Sequence, residues 1–583
     1  MNNGEKMNNQ SCTFLCPLRA LYGEEEGIRL YNWLLERIKS FKAEYKREIT
    51  DSLDEKDVIV ITYPDQFIRQ GQKPLQTLNH FSNEYLNNFI TGIHILPFFP
   101  WSSDDGFSVK DYCMVEKDYG SWQDICELGD NFSLMFDAVI NHISSESEWF
   151  LGFVNGDPEY ADFFITCDPD KDLSMVVRPR TSPLLTKFST ETGDKWVWTT
   201  FSADQIDINY KNPQVFKNIV DILLFYVKMK ASFIRLDAIA YLWKEARTKC
   251  IHLPQTHAII HLFNQILDSI DPNIKLITET NVPHEENVSY FGDGDNEAHL
   301  VYNFSLPPLV LNTFYQENSR ALTEWTSKLS LPSNKVTFFN FLASHDGIGI
   351  TPVHGILSEG EIENIKNEIS NRNGFISYKK NQDQTETAYE LNISYFDALS
   401  ILDEQYGSQN HINRFICAHA IMFSLVGLPG IYIHSLLGSP GWLDGVELTG
   451  KNRTINRKKF QYEEIIKDIS TDVSIPGMVY KRMKQLISHR AQSSAFHPHG
   501  AQLVLDLGEN IFALLRISPD GEEYVLCVHN ITANSVELII EPEKLGIWGK
   551  VWRDIISDIK IDLENDTKLK LEPFQVAWFK NEE

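Results

Sequence analysis

The sequence has no apolar run of about 18 residues, the length that a membrane-spanning helix requires. Its first ten residues, MNNGEKMNNQ, lack the basic-then-apolar order of a secretory leader. Cysteine is scarce, with 8 in 583 residues, and the cysteines do not form the two spaced pairs of a zinc site. We therefore expect a cytoplasmic protein with reduced thiols.

Basic residues are also few, with 53 Lys and Arg against 80 Asp and Glu, so the formal net charge is −27. Such a chain repels nucleic acid and anionic membranes, so we expect neither as a partner. An anionic substrate would need a few local basic side chains to overcome this repulsion. The length predicts several domains rather than one core.

Eight short apolar runs begin after residue 57, and most are separated by helix-patterned or polar stretches. The runs are VIVITYP (58–64), GIHILPFF (92–99), LMFDAVIN (134–141), FIRLDAI (233–239), LITETN (276–281), LVYNFSL (300–306), FFNFLASHD (338–346) and GIYIHSL (430–436). Strands alternating with helices indicate a parallel sheet, and eight of them predict a (β/α)8 barrel with insertions. An open doubly wound sheet is the alternative, although no Gly-rich phosphate loop follows the first run.

The spacing of these runs predicts the domain organisation. We assign 1–56 to an N-terminal helical extension, 57–142 and 201–490 to the barrel, 143–200 to an inserted subdomain, 347–410 to a second, acceptor-side insertion, and 491–583 to an antiparallel C-terminal β-domain. In the extension, apolar residues at helical spacing predict one amphipathic helix over about 24–48. These residues are Tyr31, Leu34, Leu35, Ile38 and Phe41.

The fourth run carries two charges, Arg235 and Asp237, which lie two apart and so share one face of a strand. The guanidinium would keep the carboxylate ionised, as a covalent nucleophile requires. The alternative is a buried ion pair that only holds the barrel together.

Other strand ends favour the catalytic interpretation, because in a (β/α)8 enzyme the chemistry lies at the carboxyl ends of the strands. The polar residues predicted there are Asp104, Asp137, His142, Arg235, Asp237, Glu279, His345 and Asp346. Burying this many ionisable groups without a function is costly.

The segments DAVINH, IRLDAIAY, Glu279 after an apolar strand, and ASHDG together resemble the four signature regions of the α-amylase superfamily of glycoside hydrolases. The resemblance covers about residues 57–583 and implies a (β/α)8 barrel with a C-terminal β-domain. It also implies a retaining double displacement, in which two carboxylates about 5–5.5 Å apart act through a covalent glucosyl-enzyme.

The resemblance implies specific roles for the matching residues. Asp237 would be the nucleophile, Glu279 the general acid/base and Asp346 the stabiliser of the transition state. His142 and His345 would hydrogen-bond the transferred glucose. We expect a raised pKa for Glu279, and we expect Arg235 to lower the pKa of Asp237.

A narrower resemblance to the sucrose phosphorylase subfamily rests on ITYPDQ, GIHILPFFP, SSDDGFSVKDY, QIDIN, INRKKF and the tripeptide Arg178-Pro179-Arg180. It implies that phosphate replaces water as the second acceptor. Asp104, Phe107, Gln205 and Arg457 would then complete the glucose site, and the resemblance assigns no metal or organic cofactor. The phosphate and acceptor region would contain Arg178, Arg180, Tyr241, Asn281, Tyr389 and Glu390. The alternative for the two arginines is a salt-bridged hinge.

Two departures from sucrose phosphorylases point to the glucosylglycerate phosphorylase branch. Asn281 stands where they have a histidine, and Tyr389-Glu390 stands where they have Tyr-Gln. The segments at 243–257 and 278–311 also resemble that branch. The acceptor would then be glycerate, whose carboxylate needs a donor, and His252, His257 and His284 are further candidates.

Several alternatives remain open at this stage. They are a phosphorylase of sucrose, sucrose 6'-phosphate or glucosylglycerol, an α-glucoside hydrolase or transglycosylase, and a non-catalytic binding protein of the same fold. The expected partners are a small glucoside and phosphate, and the expected assembly is a monomer or a homodimer. Asp293, Asp295 and Glu297 could bind calcium, but without an EF-hand pattern a simple turn is favoured. Asn141 falls in a region that binds calcium in some α-amylases, yet we predict no metal here.

Overall fold

Eight parallel strands close into a barrel, in a computed structural model that describes residues 3–45, 52–380, 385–540, 551–562 and 567–582. The strands are β1 (Ile59–Thr62), β2 (Gly92–Ile95), β3 (Ser133–Ala138), β4 (Ala231–Leu236), β5 (Lys275–Thr278), β6 (Leu300–Tyr302), β7 (Thr337–Asn340) and β8 (Leu428–Tyr432). Each lies within or overlaps one of the eight predicted runs, so the predicted barrel is confirmed. Both strand faces are buried, as expected for a sheet enclosed by helices.

The strand register places charged side chains beside one another inside the barrel. Asp137 of β3 is the direct partner of Arg235 of β4, and Ile277 of β5 flanks Arg235 on the other side. Because side chains alternate between the two faces of a strand, this register points Asp137 and Arg235 to the same interior. The charged centre of the site is therefore set by strand pairing.

Helices surround the barrel, and several begin with a side-chain cap. The longer ones are Pro74–Phe81, Pro213–Lys228, Pro254–Ile270, Leu306–Gln316, Gln409–Ser424 and Ile475–Arg490. Asn212 caps the second of these by accepting a hydrogen bond from the backbone N–H of Gln214 at 2.9 Å, and Pro213 occupies the first turn. Proline is favoured there because its missing N–H would have no partner in the helix.

The N-terminal extension contains two helices, α1 (Asn3–Tyr22) and α2 (Glu24–Glu44), where the sequence predicted one. The helices pack on each other and on the barrel helices Pro213–Lys228 and Pro254–Ile270. Residues 46–51, which include the end of the predicted helix, lie outside the described residues.

Fewer apolar residues of α2 are buried than the sequence predicted. Leu34, Ile38 and Phe41 are buried, as expected for its inner face, whereas Leu35 is 38% exposed. Arg37 on the same helix forms an ion pair with Asp221 of the barrel. Apolar contact and an ion pair therefore fix the extension to the outside of the barrel.

Between β3 and β4 the chain makes a long excursion over the carboxyl rim. Its two ends form an antiparallel ribbon, in which His142–Ser144 pairs with Gln205–Asp207. A helix (Glu148–Val154) and a hairpin (Leu185–Thr190 with Gly193–Trp198) lie between them. The ribbon brings His142 and Gln205 to the same edge of the site.

A second excursion follows β7 and contains a helix (Glu359–Asn371) and a hairpin of Phe375–Lys380 with Glu386–Asn392. Residues 381–384, between these strands, lie outside the described part. The hairpin register shifts between Ser377 and Tyr378, so that Tyr389 is the extra residue of a β-bulge. Bulges redirect side chains, and this one directs Tyr389 toward the catalytic rim.

The C-terminal β-domain is antiparallel, as predicted. A six-stranded sheet has the spatial order Ala501–Leu505, Ile511–Ile517, Tyr524–Asn530, Val576–Asn581, Val551–Asp554 and Lys560–Asp562, and a second pair joins Val536–Ile540 to Thr567–Leu571. The sequence predicted five of these strands and missed Val551–Asp554, Lys560–Asp562 and Thr567–Leu571. Residues 541–550 lie outside the described part. Across the described ranges, no helix combines the length and the apolar character needed to traverse a bilayer.

Candidate active site

Arg235 lies at the centre of the site and holds two carboxylates. Its Nη1 donates to Asp237 Oδ1 at 2.9 Å and to Asp137 Oδ1. Asp137 in turn contacts His94 of β2, with 2.8 Å between Oδ2 and Nε2. These groups are buried, so each charge depends on its neighbours rather than on water. The sequence predicted the contact between Arg235 and Asp237. It did not predict that Arg235 also contacts Asp137, or that Asp137 contacts His94.

Arg235 lowers the pKa of Asp237, as predicted from the sequence, but the net shift is upward. Burial is the largest cause and raises the pKa well above its ordinary value, and the charges of Glu279, Asp137 and Asp346 add to the rise. The sequence predicted the effect of Arg235 and missed the larger effect of burial. What Arg235 does provide is a fixed hydrogen bond that stabilises the ionised form of Asp237.

Glu279 follows β5 and has the raised pKa expected of a general acid. Burial is the main cause, and the nearby charge of Asp346 contributes. Its Oε2 accepts a hydrogen bond from the backbone N–H of Ala238 at 3.0 Å. Ala238 has a left-handed backbone with φ of 49°, which a residue with a side chain adopts at some cost. That conformation turns the N–H beside the nucleophile toward the acid.

Asp346, after β7, is held ionised by arginines. Arg453 Nη1 lies 2.6 Å from its Oδ1, and Arg457 Nη2 lies 3.6 Å from the same oxygen. Burial alone would raise the pKa of Asp346, but Arg453, His345 and Arg457 outweigh it and hold the pKa well below its usual range. Asp346 is therefore an anion at neutral pH.

Arg453 was not predicted from the sequence, although it lies four residues before Arg457. Its Nε donates to Glu390 Oε2 at 3.0 Å, and its Nη2 lies 2.9 Å from Oε1 of the same carboxylate. Glu390 also accepts from the backbone N–H of Gly347 at 2.8 Å and is only 2% exposed. The predicted acceptor-side residue Glu390 is thus a fixed partner of an arginine that lines the catalytic pocket.

The loop after β2 brings two aspartates to the site with strained backbones. Asp104 and Asp105 have φ of 55° and 50°, both in the left-handed region. Arg457 Nε donates to the carbonyl of His345 at 3.0 Å, and its Nη1 forms an ion pair with Asp105. The resemblance paired Arg457 with Asp104 as glucose ligands, whereas the structure pairs it directly with Asp105.

Gln205 and His142 form the opposite wall of the glucose site. Gln205 Nε2 donates to Asp104 Oδ2 at 3.2 Å and to the carbonyl of Phe107 at 3.1 Å. His142 Nε2 lies 2.9 Å from the same carbonyl. Burial lowers the pKa of His142, so it is neutral near pH 7. These contacts fix the side chains before any sugar enters.

Phe107 and His345 stack face to face, with ring centroids 4.7 Å apart and an interplanar angle of 3°. Burial lowers the pKa of His345 to about 3, so the imidazole is neutral at physiological pH. A neutral imidazole on a rigid aromatic support can donate to a sugar hydroxyl without adding charge to the site.

One pocket collects most of the predicted residues. Among its lining residues are Asp104, Phe107, His142, Arg180, Gln205, Asp237, Tyr241, Glu279, Asn281, His345, Asp346 and Tyr389, together with the unpredicted Phe201 and Arg453. Three further predicted residues do not line the pocket but form ion pairs with residues that do, namely Arg235, Arg457 and Glu390. Burial raises the pKa of Tyr389 to about 12, so its hydroxyl stays protonated beside Arg180.

The two predicted arginines separate into different cavities. Arg180 lines the catalytic pocket, whereas Arg178 lines a neighbouring cavity of about 780 Å³ that we call the outer chamber. The outer chamber and the catalytic pocket share five lining residues: Pro179, Tyr241, Asn281, Val282 and Tyr389. No contact made by these arginines in the described structure supports the alternative of a salt-bridged hinge.

The three histidines considered as ligands of an acceptor carboxylate also lie in different places. His252 and His257 line the outer chamber. His252 Nδ1 lies 2.8 Å from the hydroxyl of Tyr290, and His257 Nδ1 lies 2.8 Å from Glu297 Oε2. His284 instead packs near Trp325 and lines neither cavity.

The acidic segment 292–297 is a turn whose carboxylates are already engaged. Asp293 accepts from Asn296 Nδ2 at 3.0 Å, Asp295 pairs with Lys335 at 3.0 Å, and Glu297 contacts His257. Within the described ranges, no three His, Cys, Asp or Glu side chains are arranged to hold a metal ion.

Asn141, in the region that binds calcium in some α-amylases, has a different partner here. Its Oδ1 accepts from Lys244 Nζ at 2.9 Å, and Lys244 forms an ion pair with Asp207. Lys244 is 7% exposed, so the cation at this position is a buried ammonium group.

Comparison with known proteins agrees with this geometry. The model of the α-amylase catalytic domain matches residues 63–358. A glucosylglycerate phosphorylase from Spirochaeta thermophila is 51% identical over 480 residues, covering 82% of this chain and 81% of the relative. Another from Escherichia coli is 43% identical over 564 residues, covering 97% and 99%.

A solved structure shows the same fold. Sucrose 6F-phosphate phosphorylase from Thermoanaerobacter thermosaccharolyticum superposes with a TM-score of 0.72 at 24% identity, covering 87% of this chain and 98% of that one. The chain belongs to the α-amylase family and groups there with glucosylglycerate and sucrose phosphorylases.

Proposed function

We propose that this protein is a retaining glycoside phosphorylase that converts 2-O-α-D-glucosyl-D-glycerate and phosphate to α-D-glucose 1-phosphate and D-glycerate. The observation that carries the proposal is the high identity, over most of the chain, to relatives named glucosylglycerate phosphorylase. The paired carboxyls of Asp237 and Glu279 supply the chemistry that this reaction needs.

In the first half-reaction, the carboxylate of Asp237 attacks the anomeric carbon as the bond to the glycerate oxygen breaks. Glu279 donates its proton to that oxygen, so glycerate leaves with a neutral hydroxyl. Arg235 keeps one oxygen of Asp237 fixed at 2.9 Å. Asp346 stays anionic beside the glucose site and stabilises the positive charge that develops on the sugar ring.

In the second half-reaction, a phosphate oxygen attacks the anomeric carbon of the glucosyl-enzyme. The bond to Asp237 breaks, its carboxylate is restored, and Glu279 accepts the proton from phosphate. Two inversions give α-D-glucose 1-phosphate with net retention. Arg180, which lines the catalytic pocket, is the proposed phosphate ligand, because a guanidinium can bind two phosphate oxygens at once.

Two features of the acceptor side support glycerate over fructose. Asn281 replaces the histidine of sucrose phosphorylases and lies against Gly349, where an added Cβ would come within 2.5 Å of its side-chain oxygen. Glu390 replaces their glutamine and pairs with Arg453. The glucose side keeps the expected residues, so acceptor choice has changed while the donor site has not.

The direct test runs the reaction in reverse. The enzyme receives α-D-glucose 1-phosphate with D-glycerate, fructose, fructose 6-phosphate or glycerol, and phosphate release is measured. Release should be fast with glycerate only, and slow but measurable with glycerol. Release with fructose or its phosphate would instead assign a sucrose-type activity, and release without an acceptor would indicate a hydrolase.

A variant tests the phosphate ligand separately. Arg180→Ala should lower phosphorolysis by at least tenfold more than it lowers hydrolysis of the same glucoside, because water needs no cation to bind. Arg180→Lys should recover part of the loss. Equal losses in both reactions would show that Arg180 does not bind phosphate.

A further inference from the structure

The outer chamber is lined by basic side chains from three separate segments. Arg178 comes from the excursion after β3, Lys249 from the loop after β4, and Lys379 from the hairpin after β7. The backbone N–H of Val177 donates to the carbonyl of Lys249 at 3.0 Å, which ties the first two segments together. Three loops that are distant in sequence therefore place cations around one cavity.

None of these three cations forms a contact ion pair with an acidic side chain of the described residues. The chamber also contains Glu285 and Glu286, and Glu286 lies 3.1 Å from His252 Nε2. Glu286 also interacts electrostatically with Lys379, without a contact ion pair. The charge of the three cations is available to a ligand.

The size and position of the outer chamber suit small anions that move between solvent and the catalytic pocket. Its volume of about 780 Å³ exceeds what one small oxyanion requires, and its shared wall with the catalytic pocket includes Tyr241 and Tyr389. Salt screens charge beyond about 10 Å, so an incoming anion feels the local cations once it reaches the mouth. The three cations outnumber the two glutamates of the chamber, and a cleft whose net charge is opposite to that of a ligand can raise the association rate by about 10-fold or more.

We propose that the outer chamber is a second, weaker binding site for the small oxyanions that the reaction consumes and releases, with Arg178, Lys249 and Lys379 as its ligands. This inference rests on the proposed function, in which phosphate and a carboxylate acceptor both cross the same rim. The site holds an anion before or after it occupies the catalytic pocket, and it takes no part in bond breaking.

The test compares two double variants with the same change in charge. Lys249→Gln/Lys379→Gln removes two chamber cations, and Lys39→Gln/Lys42→Gln removes two exposed lysines of α2 far from the site. For the chamber variant, we expect the KM for phosphate to rise about tenfold at low ionic strength. We also expect kcat, and hydrolysis without phosphate, to stay within about twofold of wild type, because the outer chamber lies outside the reacting centre.

The salt dependence and a neutral acceptor complete the test. Added NaCl should raise the KM for phosphate in the wild type and should have little effect in the chamber variant. In the reverse reaction, the KM for glycerate should rise in that variant and the KM for glycerol should not. A rise in the phosphate KM no larger than that of the α2 control would overturn the inference, and so would a rise shared by glycerol.

A binding measurement separates this inference from the function itself. Calorimetric titration of the intact enzyme with inorganic phosphate should show a weak binding event that Lys249→Gln/Lys379→Gln loses and the control keeps. That event is measurable even if glycerate proves to be the wrong acceptor. Identical titrations for both variants would refute the second site whatever reaction the enzyme catalyses.

Discussion

Arg453 holds Glu390 through a hydrogen bond from Nε at 3.0 Å and an ion-pair contact of Nη2 at 2.9 Å, while its Nη1 lies 2.6 Å from Asp346. One guanidinium thus connects the acceptor-side hairpin to the carboxylate that stabilises the transition state. The planar fork of arginine is suited to such a double contact, and lysine cannot reproduce it.

Arg453→Ala should lower kcat/KM for phosphorolysis by at least about 100-fold, because Asp346 loses its shortest ion pair and the buried carboxylate of Glu390 loses its cation and keeps only the hydrogen bond from Gly347. Arg453→Lys keeps one charge and should lie between alanine and wild type. Initial rates with the preferred glucoside measure both variants. Wild-type rates for the alanine variant would show that Arg457 alone holds Asp346.

Asp237→Asn and Glu279→Gln should each lower turnover by several orders of magnitude in a folded protein. The two variants should differ with α-glucosyl fluoride, whose leaving group needs no proton. Formation of the glucosyl-enzyme from this donor should persist in Glu279→Gln and should fail in Asp237→Asn. Mass spectrometry of the trapped protein gives the measurement, and labelling of the Asn variant would contradict the assigned nucleophile.

Asp137→Asn should change stability more in neutral than in acidic solution. His94 and Arg235 outweigh burial and lower the pKa of Asp137 from its ordinary 3.8 to about 2. Because the unfolded chain takes up a proton at higher pH than the folded one, the stabilisation of about 2 kcal/mol is present above pH 4. It is lost as the pH falls from about 4 to 2.

Urea unfolding between pH 2 and 6 measures this effect. The free energy of unfolding of Asp137→Asn should depend less on pH than that of wild type between pH 2 and 4. Asp472→Asn, at an exposed aspartate that pairs with Lys481 at 3.2 Å, is the control. Identical pH slopes for Asp137→Asn and wild type would contradict the lowered pKa.

Leu34→Ala should reduce the free energy of unfolding by about 3 kcal/mol, because the side chain is fully buried between α2 and its neighbours. Leu35→Ala removes the same atoms from a residue that is 38% exposed, and should cost less than about 1 kcal/mol. Denaturant unfolding of both proteins provides the comparison. Equal losses would mean that the extension is packed differently.

The barrel strands and the polar residues at their ends were predictable from short-range pattern, whereas the catalytic roles of the carboxyls were implied by the resemblance to the α-amylase superfamily. Each apolar run must be a buried strand, and polar residues at its end must meet at one rim. The positions of three carboxyls could be predicted without knowing the conformation of any loop, namely those of Asp237, Glu279 and Asp346. The net pKa shift of Asp237 was not predictable in this way, because its main cause is burial, which depends on packing between distant segments.

The missed elements depend on contacts between distant segments. Arg453 lies in a short 3-10 helix (Asn452–Asn456), and nothing in the neighbouring sequence indicates that it faces Glu390, 63 residues away. Helix α1 has Pro17 in its interior, which argues against a helix on local grounds. Its partner α2 approaches closely at Gly27, where an added Cβ would lie 2.7 Å from Arg19 Cα, so tertiary packing stabilises α1.

The left-handed backbones of Asp104 and Asp105 limit how this site can change by mutation. Aspartate, asparagine and glycine tolerate that conformation, whereas β-branched residues do not. A substitution at either position by any other residue therefore changes the conformation of the loop as well as its charge. Few substitutions are therefore compatible with the backbone at the glucose end of the pocket. At the acceptor end Asn281 and Glu390 have ordinary backbone conformations, so side-chain contacts such as that of Glu390 with Arg453, and not the backbone, limit which substitutions are tolerated.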